Sequence, residues 1–398
     1  MKQTILFLSF LIPLFACSQE VIEPTGVEPK IELGSNFNHN PEIIDFYYLE
    51  KAQVDWIRTT PYIFEYIFGE REIVSDPGLQ NIIIAGEKGY KVAFGFRWDF
   101  KKYKLTIPAP DSERELEYFE VVKMILERIG PHIDIFKLGN EPVLETLPND
   151  MKKGADGMIP LVVFTKRLLT KVIDPWFRSH PEISYPDIYV GSIPALFSKS
   201  IQAIDATNGL LHLAQDCDKV TGMSIHLHIN EIDEIEQAFE YARKIIPEKP
   251  FIVPEFSLHR LYKNQLSDVI GSSKKGKDFA KKYSRDPDWK IYQWYTVANS
   301  KGVTKEEWKA FFDSRSWYPK HYLKTYFAFY QKYGVRLATY PLLQQSCPKQ
   351  MTANSQAWFI NPIFCQHSIL KDENGNYSPN PLCFDDFIEL VEIGRAKD

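Results

Sequence analysis

Two glutamates stand out because each closes an apolar run. Glu141 ends IDIFKLGNE (133–141) and is followed by proline; Glu255 ends PFIVPE (250–255) and is followed by Phe256. A solvated loop acid needs no apolar approach, whereas an acid held at the mouth of a buried strand does. Other polar groups close similar runs. Asn36 and Asn38 end the first, Arg58 the second, and Arg97, Trp98 and Asp99 the third, while Asn140 directly precedes Glu141. In SIHLHI, His226 and His228 stand two apart, so in a strand they share a face. Two carboxylates brought together can divide acid and base work, because ionisation of one raises the pKa of the other.

What must position these groups is a repeated alternation of short apolar runs with helical patterns. The runs are IELGSNFN (31–38), VDWIRTT (54–60), YKVAFGFRWDF (90–100), IDIFKLGNE, DIYVGSIPAL (187–196), VTGMSIHLHI (220–229), PFIVPEFSLH (250–259) and VRLATYPLLQ (335–344). Between them, PEIIDFYYLEKAQ starts on a proline and PGLQNIIIAGEKG closes on glycine. SERELEYFEVVKMILERIG has Ser112 to cap it and Gly130 to end it. Helical spacing continues at 159–179, 200–216, 231–246, 288–333 as one long stretch, and 381–394. Eight βα units predict an α/β fold, a (β/α)8 TIM barrel over 31–398 with long loops after strands 4, 7 and 8. The glycine-rich phosphate turn of dinucleotide-binding folds is missing after the first strand. The largest insertion, 261–287, carries lysines and reads as a solvated flap.

A barrel of this kind does its chemistry at the C-terminal ends of its strands. Strands 4 and 7 lie nearly opposite each other in a ring of eight, so Glu141 and Glu255 can converge over its mouth. Carboxyl groups about 5–5.5 Å apart suit retaining glycoside hydrolysis, with one as nucleophile and the other as acid and then base. LGNEP and VPEF, at the ends of strands 4 and 7, resemble clan A of the retaining glycoside hydrolases, the 4/7 superfamily. The resemblance covers the whole barrel in order and spacing. It implies Glu141 as acid/base, Glu255 as nucleophile, Asn140 as the contact to a sugar 2-hydroxyl, and Arg58 as the cation beside the nucleophile. His226 matches the histidine of the family's His-x-Tyr pattern. His228 replaces the tyrosine that commonly bonds the nucleophile, so that role falls to His228, to Tyr340 or to another group. Trp358, after strand 8, resembles the aromatic floor of the cleaved-sugar subsite, and Trp98 is a second candidate platform. Glu145 lies past the proline turn and reads as a rim residue.

The substrate so implied is a β-linked oligo- or polysaccharide. A non-catalytic glycan-binding protein or a transglycosylase on the same barrel are the alternatives, and paired acids have no task in mere capture. His226-x-His228 without a carboxylate beside it is a poor metal site, and no metal or cofactor is expected. Lys and Arg total 47 against 52 Asp and Glu, which leaves no positive field for nucleic acid. The opening MKQTILFLSFLIPLFAC reads as a signal peptide over 1–16. Leu14-Phe15-Ala16-Cys17 resembles a bacterial lipobox, which implies a lipid on Cys17, a polar tether over 17–30, a bacterial cell-envelope location and contact with the membrane through that lipid alone. A monomer is expected. Four further cysteines remain, with Cys347 and Cys365 the first candidate pair because they flank a loop; export permits a disulfide.

Overall fold

The computed structural model describes residues 30–344 and 346–395. The segment read as signal peptide, with Cys17, and the tether up to residue 29 lie outside the described residues. Eight parallel strands close a barrel in sequence order, β1 (Glu32–Asn36), β2 (Trp56–Thr59), β3 (Lys91–Gly95), β4 (Ile135–Lys137), β5 (Asp187–Pro194), β6 (Gly222–His228), β7 (Phe251–Ser257) and β8 (Val335–Pro341), with β1 paired to β8. Helices lie between the strands, and the fold is the expected (β/α)8 barrel. Trp56, Ala93, Ile135, Tyr189, Ile252 and Leu337 form a separate apolar cluster from six strands, the packed layer at the base of the barrel. The main core lies between the strands and the surrounding helices.

One turn above that layer the inner face becomes polar. Lys137 is fully buried on β4 and donates to Thr60 Oγ1 at 2.8 Å. Its neighbour on β3 is Gly95, where a Cβ would meet the Lys137 carbonyl oxygen at 2.7 Å, so glycine makes room for the lysine. The register slips by one residue between β6 and β7: Ser224 faces Ile252, but His226 faces Glu255. The extra residue on β7 lets Ile252 and Glu255, three apart, both point inward.

The outer elements depart from expectation in three places. Residues 288–333 form three helices, Ile291–Lys301, Lys305–Asp313 and Tyr322–Tyr333. The first stops at Gly302, whose φ of 72° is left-handed, and Thr304 caps the second by accepting from Glu307 N at 3.1 Å. The 261–287 insertion is anchored rather than loose. It contains the helix Lys274–Lys282, whose lysines are exposed while Phe279 is buried against Trp294 and Phe311. The expected Cys347–Cys365 bridge is absent: Cys217, Cys347, Cys365 and Cys383 are all free thiols. Cys347 Sγ turns to Ser368 Oγ at 3.7 Å, and Cys365 is buried on the short strand Phe364–Cys365. Among the described residues no helix is long and apolar enough to cross a membrane.

Candidate active site

Arg58 is the hub of the site. It is fully buried on β2, and three side chains accept from its guanidinium: Nη1 reaches Asn36 Oδ1 at 2.9 Å and Glu255 Oε1 at 2.6 Å, and Nη2 reaches Asn140 Oδ1 at 2.6 Å. A buried guanidinium demands such partners, since desolvation of an unpaired cation costs several kcal/mol or more. Arginine can only donate, so the Asn140 carbonyl faces it and the amide Nδ2 donates to Glu145 Oε1 at 2.8 Å. One Asn140 N–H and one carbonyl lone pair then remain for a ligand.

Glu141 sits at φ 34°, ψ 46°, a left-handed conformation that costs a non-glycine residue roughly 1–2 kcal/mol. The short helix Pro142–Glu145 holds it there, because Leu144 N and Glu145 N donate to the Glu141 carbonyl at 2.8 and 3.1 Å. The side chain is thereby turned from β4 into the barrel mouth, where Glu141 Oε1 lies 3.2 Å from His226 Nδ1. The other nitrogen of the same ring, Nε2, lies 3.8 Å from Glu255 Oε1. A single imidazole therefore separates the two carboxylates. His228, two residues on, brings Nε2 to 3.4 Å from Glu255 Oε2, while its Nδ1 is 2.8 Å from Ser257 Oγ.

These contacts separate the two acids electrostatically. Burial alone would raise Glu255, but His226, the Arg58 guanidinium and His228 together hold it well below the usual carboxylate range. Glu141 is also pushed up by burial and by the Glu255 charge; the His226 hydrogen bond and charge act downward and outweigh them as long as the imidazole is cationic. Burial, however, holds His226 itself below its ordinary value, and the Arg58 charge acts the same way against the pull of the two acids. The two directions conflict. The ring is wholly buried and therefore neutral, which leaves the Arg58 guanidinium and His228 to hold Glu255 down. The influences left on Glu141 are then burial and the Glu255 charge, both upward, against the His228 charge, which acts downward.

A cavity of about 440 Å³ opens above the acids. Asn36, Asn38, His39, Asn40, Arg97, Asn140, Glu141, Leu144, His228, Glu255, Ser257, His259, Arg260 and Trp358 are among the residues lining it. Arg58 and His226 lie beneath it, fully buried. Trp358 lies flat on His259, with ring centroids 3.4 Å apart and planes 18° apart, and meets His228 edge-on at 4.9 Å. Burial, reinforced by the His228 charge, pushes His259 down to about 2, so the ring under Trp358 stays neutral. Trp358→Ala should raise KM for a sugar substrate roughly 2- to 10-fold with a smaller change in kcat, the range expected for one aromatic contact worth about 0.5–1.5 kcal/mol. Steady-state kinetics check this, and an unchanged KM would show that Trp358 does not contact the substrate.

Two expected contacts are elsewhere. Tyr340 is fully buried and faces out of the barrel, its hydroxyl 2.7 Å from that of Tyr322. Strand alternation explains it: Leu337 faces inward, so Thr339 does too, donating to the Pro254 carbonyl at 2.6 Å, and Tyr340 does not. Trp98 is 6% exposed within the aromatic core, against Phe64, Phe100 and Phe164. Its neighbour Arg97 takes the cleft side.

Glu145 is no rim residue. It is 3% exposed, with Oε1 2.7 Å from Arg97 Nε as well as bonded to Asn140. Burial raises it well above the usual carboxylate range, against the pull of Arg97. His39 was missed too. It lines the cavity, and burial, with the Arg97 charge, lowers it to about 4. Its only sequence signal is its position directly after Asn38. The histidine pair, weighed without an acid beside it, has one: Glu141, His226 and His228 each offer a donor atom within 4.8 Å of the others.

No protein-family model matches the chain, and no curated protein matches it. Solved structures are similar in fold. A GH10 endoxylanase retrieved from sugarcane soil metagenome is 11% identical, with 91% of this chain and 97% of that chain covered and a TM-score of 0.49. A GH5 cellulase from an Icelandic hot spring isolate is 13% identical, with 92% and 89% covered and a TM-score of 0.46. A GH10 xylanase of Thermobacillus composti is 12% identical, with 91% and 97% covered and a TM-score of 0.47.

Proposed function

We propose that the chain is a retaining glycoside hydrolase of the clan A type that cleaves a β-linked oligo- or polysaccharide. One observation carries the reading: two carboxylates from opposite sides of the ring meet across the His226 imidazole at the floor of a cleft, one of them bound by a buried arginine. In this mechanism Glu255 Oε attacks the anomeric carbon while Glu141 protonates the departing glycosidic oxygen. The covalent glycosyl ester then forms as the C–O bond to the leaving group breaks. Glu141, now ionised, takes a proton from water, and the water oxygen displaces Glu255. Arg58 keeps Glu255 ionised before attack and meets the carboxylate again as it leaves. Asn140, fixed by Arg58 and Glu145, presents its remaining N–H and lone pair to a sugar hydroxyl. Export with a lipid on Cys17 belongs to the same proposal.

The first experiment incubates the full chain with a panel of β-linked polysaccharides and follows reducing ends. Glu141→Ala should then lower kcat by about 10²–10⁴-fold on a substrate with a poor leaving group and far less on an activated aryl glycoside, since only the former needs a proton. Equal losses on both would remove Glu141 from the acid role. A protein that merely captures glycans would bind the panel and release no reducing ends.

A further inference from the structure

We propose that the floor of the cleft is also a binding site for one first-row transition ion of the Zn²⁺ or Cu²⁺ class, held by His226, His228 and Glu141, and that the bound ion stops sugar hydrolysis. The second half rests on the hydrolytic reading above; the first does not. Two imidazoles and a carboxylate are the donor set of many zinc centres, and here one donor atom from each lies within 4.8 Å of the others. Donors around a tetrahedral Zn²⁺ sit about 3.3 Å apart, given bonds of about 2.0–2.1 Å, so side-chain rotation alone has to draw them in.

Three features favour an ion there. His226 and His228 project from the same face of β6, their ring planes 68° apart and centroids 6.0 Å apart, so the rings do not stack on each other. His226 Nε2, on the Glu255 side of the ring, is buried and has no hydrogen-bond partner among the described residues, although a buried ring nitrogen ordinarily finds one. His228 is held by its outer nitrogen, Nδ1 to Ser257 Oγ at 2.8 Å, which leaves Nε2 free of that bond and 3.4 Å from Glu255 Oε2. Orientation of a ligating imidazole through its second nitrogen is how metal sites fix the ring. Glu141 and His228 line the cavity, so the floor is reached from it.

The neighbouring charges define what the ion does. The Arg58 guanidinium already neutralises Glu255, 2.6 Å away, so the negative charge left for an ion is that of Glu141. Coordination takes up the Glu141 oxygen that would donate or accept the proton. An ion in this place thus competes with the reaction. Imidazole donors select Zn²⁺ and Cu²⁺ over Mg²⁺ and Ca²⁺, which require oxygen shells.

Titration of the full chain with Co²⁺ tests the binding. We expect one equivalent to produce the strong visible absorption of a four-coordinate ion, removed by competing Zn²⁺ and unaffected by Mg²⁺ or Ca²⁺. Ser257→Ala should weaken Co²⁺ by about 10- to 100-fold, the loss typical of an outer partner, and His226→Gln and His228→Gln by more. Thermal melts establish that each variant is folded, and Ser257→Ala serves where a histidine variant is not. Cys217→Ser combined with Cys347→Ser should leave the bands intact. No bands with the wild type, or bands unchanged in His228→Gln and Ser257→Ala, overturn the site. Zn²⁺ should lower kcat for a cleaved glycan, reversed by EDTA, because the ion occupies the oxygen that moves the proton. Zn²⁺ binding without inhibition overturns only the second half, and a chain that cleaves no glycan still yields the Co²⁺ result.

Discussion

Glu255→Gln should lower kcat by on the order of 10⁵- to 10⁶-fold, the scale on which hydrolases that form a covalent intermediate fail when the nucleophile is removed. The amide keeps the shape of the side chain but has neither the charge nor the lone-pair density to displace a leaving group. The fold should persist, because Arg58 retains Asn36 and Asn140 as acceptors and the glutamine carbonyl replaces one carboxylate oxygen. Sugar binding should persist as well, since the cleft walls are unchanged. Reducing-end release on the best polysaccharide of the panel, with a titration of binding by the same variant, checks both halves. A variant that turns over at the wild-type rate would remove Glu255 as nucleophile and with it the double-displacement mechanism.

Arg58→Met should cost about 3–5 kcal/mol of stability, read from denaturant unfolding. The methionine fills much of the volume but leaves the Glu255 carboxylate without its guanidinium and two asparagine carbonyls, Asn36 and Asn140, without a donor. The sign of the pH dependence follows. Wild-type Glu255 lies below its unfolded value, so its contribution to stability is present above the ordinary carboxylate range and is lost as pH falls through the depressed value. In the variant the buried carboxylate shifts upward and protonates sooner, so the gap between the two proteins narrows on acidification. The acid limb of kcat/KM, which reports ionisation of the nucleophile in the free enzyme, should move to higher pH for the same reason. Unchanged stability together with an unmoved acid limb would show that Arg58 does not hold Glu255.

Much of this site is legible in the sequence. Glu141, Glu255, Arg58 and Asn140 all end apolar runs, and a barrel gathers strand ends at one mouth, so their type and position in the chain are enough to bring them together. The histidines follow from the spacing of two within one run. Trp358 is less direct, since it lies beyond the last strand in a loop whose path no pattern describes.

Other features depended on three-dimensional closure. Alternation along a strand says that Thr339 and Tyr340 face opposite ways, but the axis of the closed barrel decides which one is inside; the same holds for Arg97 and Trp98. The slip between β6 and β7 belongs to this class, because only the pairing of two distant strands reveals that β7 carries an extra residue. Glu145 looked peripheral by its place after a proline and is buried because Asn140 and Arg97 close over it. Lys137 is buried inside the barrel because Gly95 on the neighbouring strand leaves the space, a relation between two strands. The cysteines carried no signal to separate thiol from disulfide, as bridging needs two sulfurs a bond length apart and sequence distance does not measure that. Residue type and order along the chain thus determined the barrel and its acids, since hydrophobic periodicity and strand-end position are local properties. Which face looks inward, and which charge meets which, was decided only by tertiary structure, because those are relations between distant segments, such as Arg58 and Glu255, 197 residues apart.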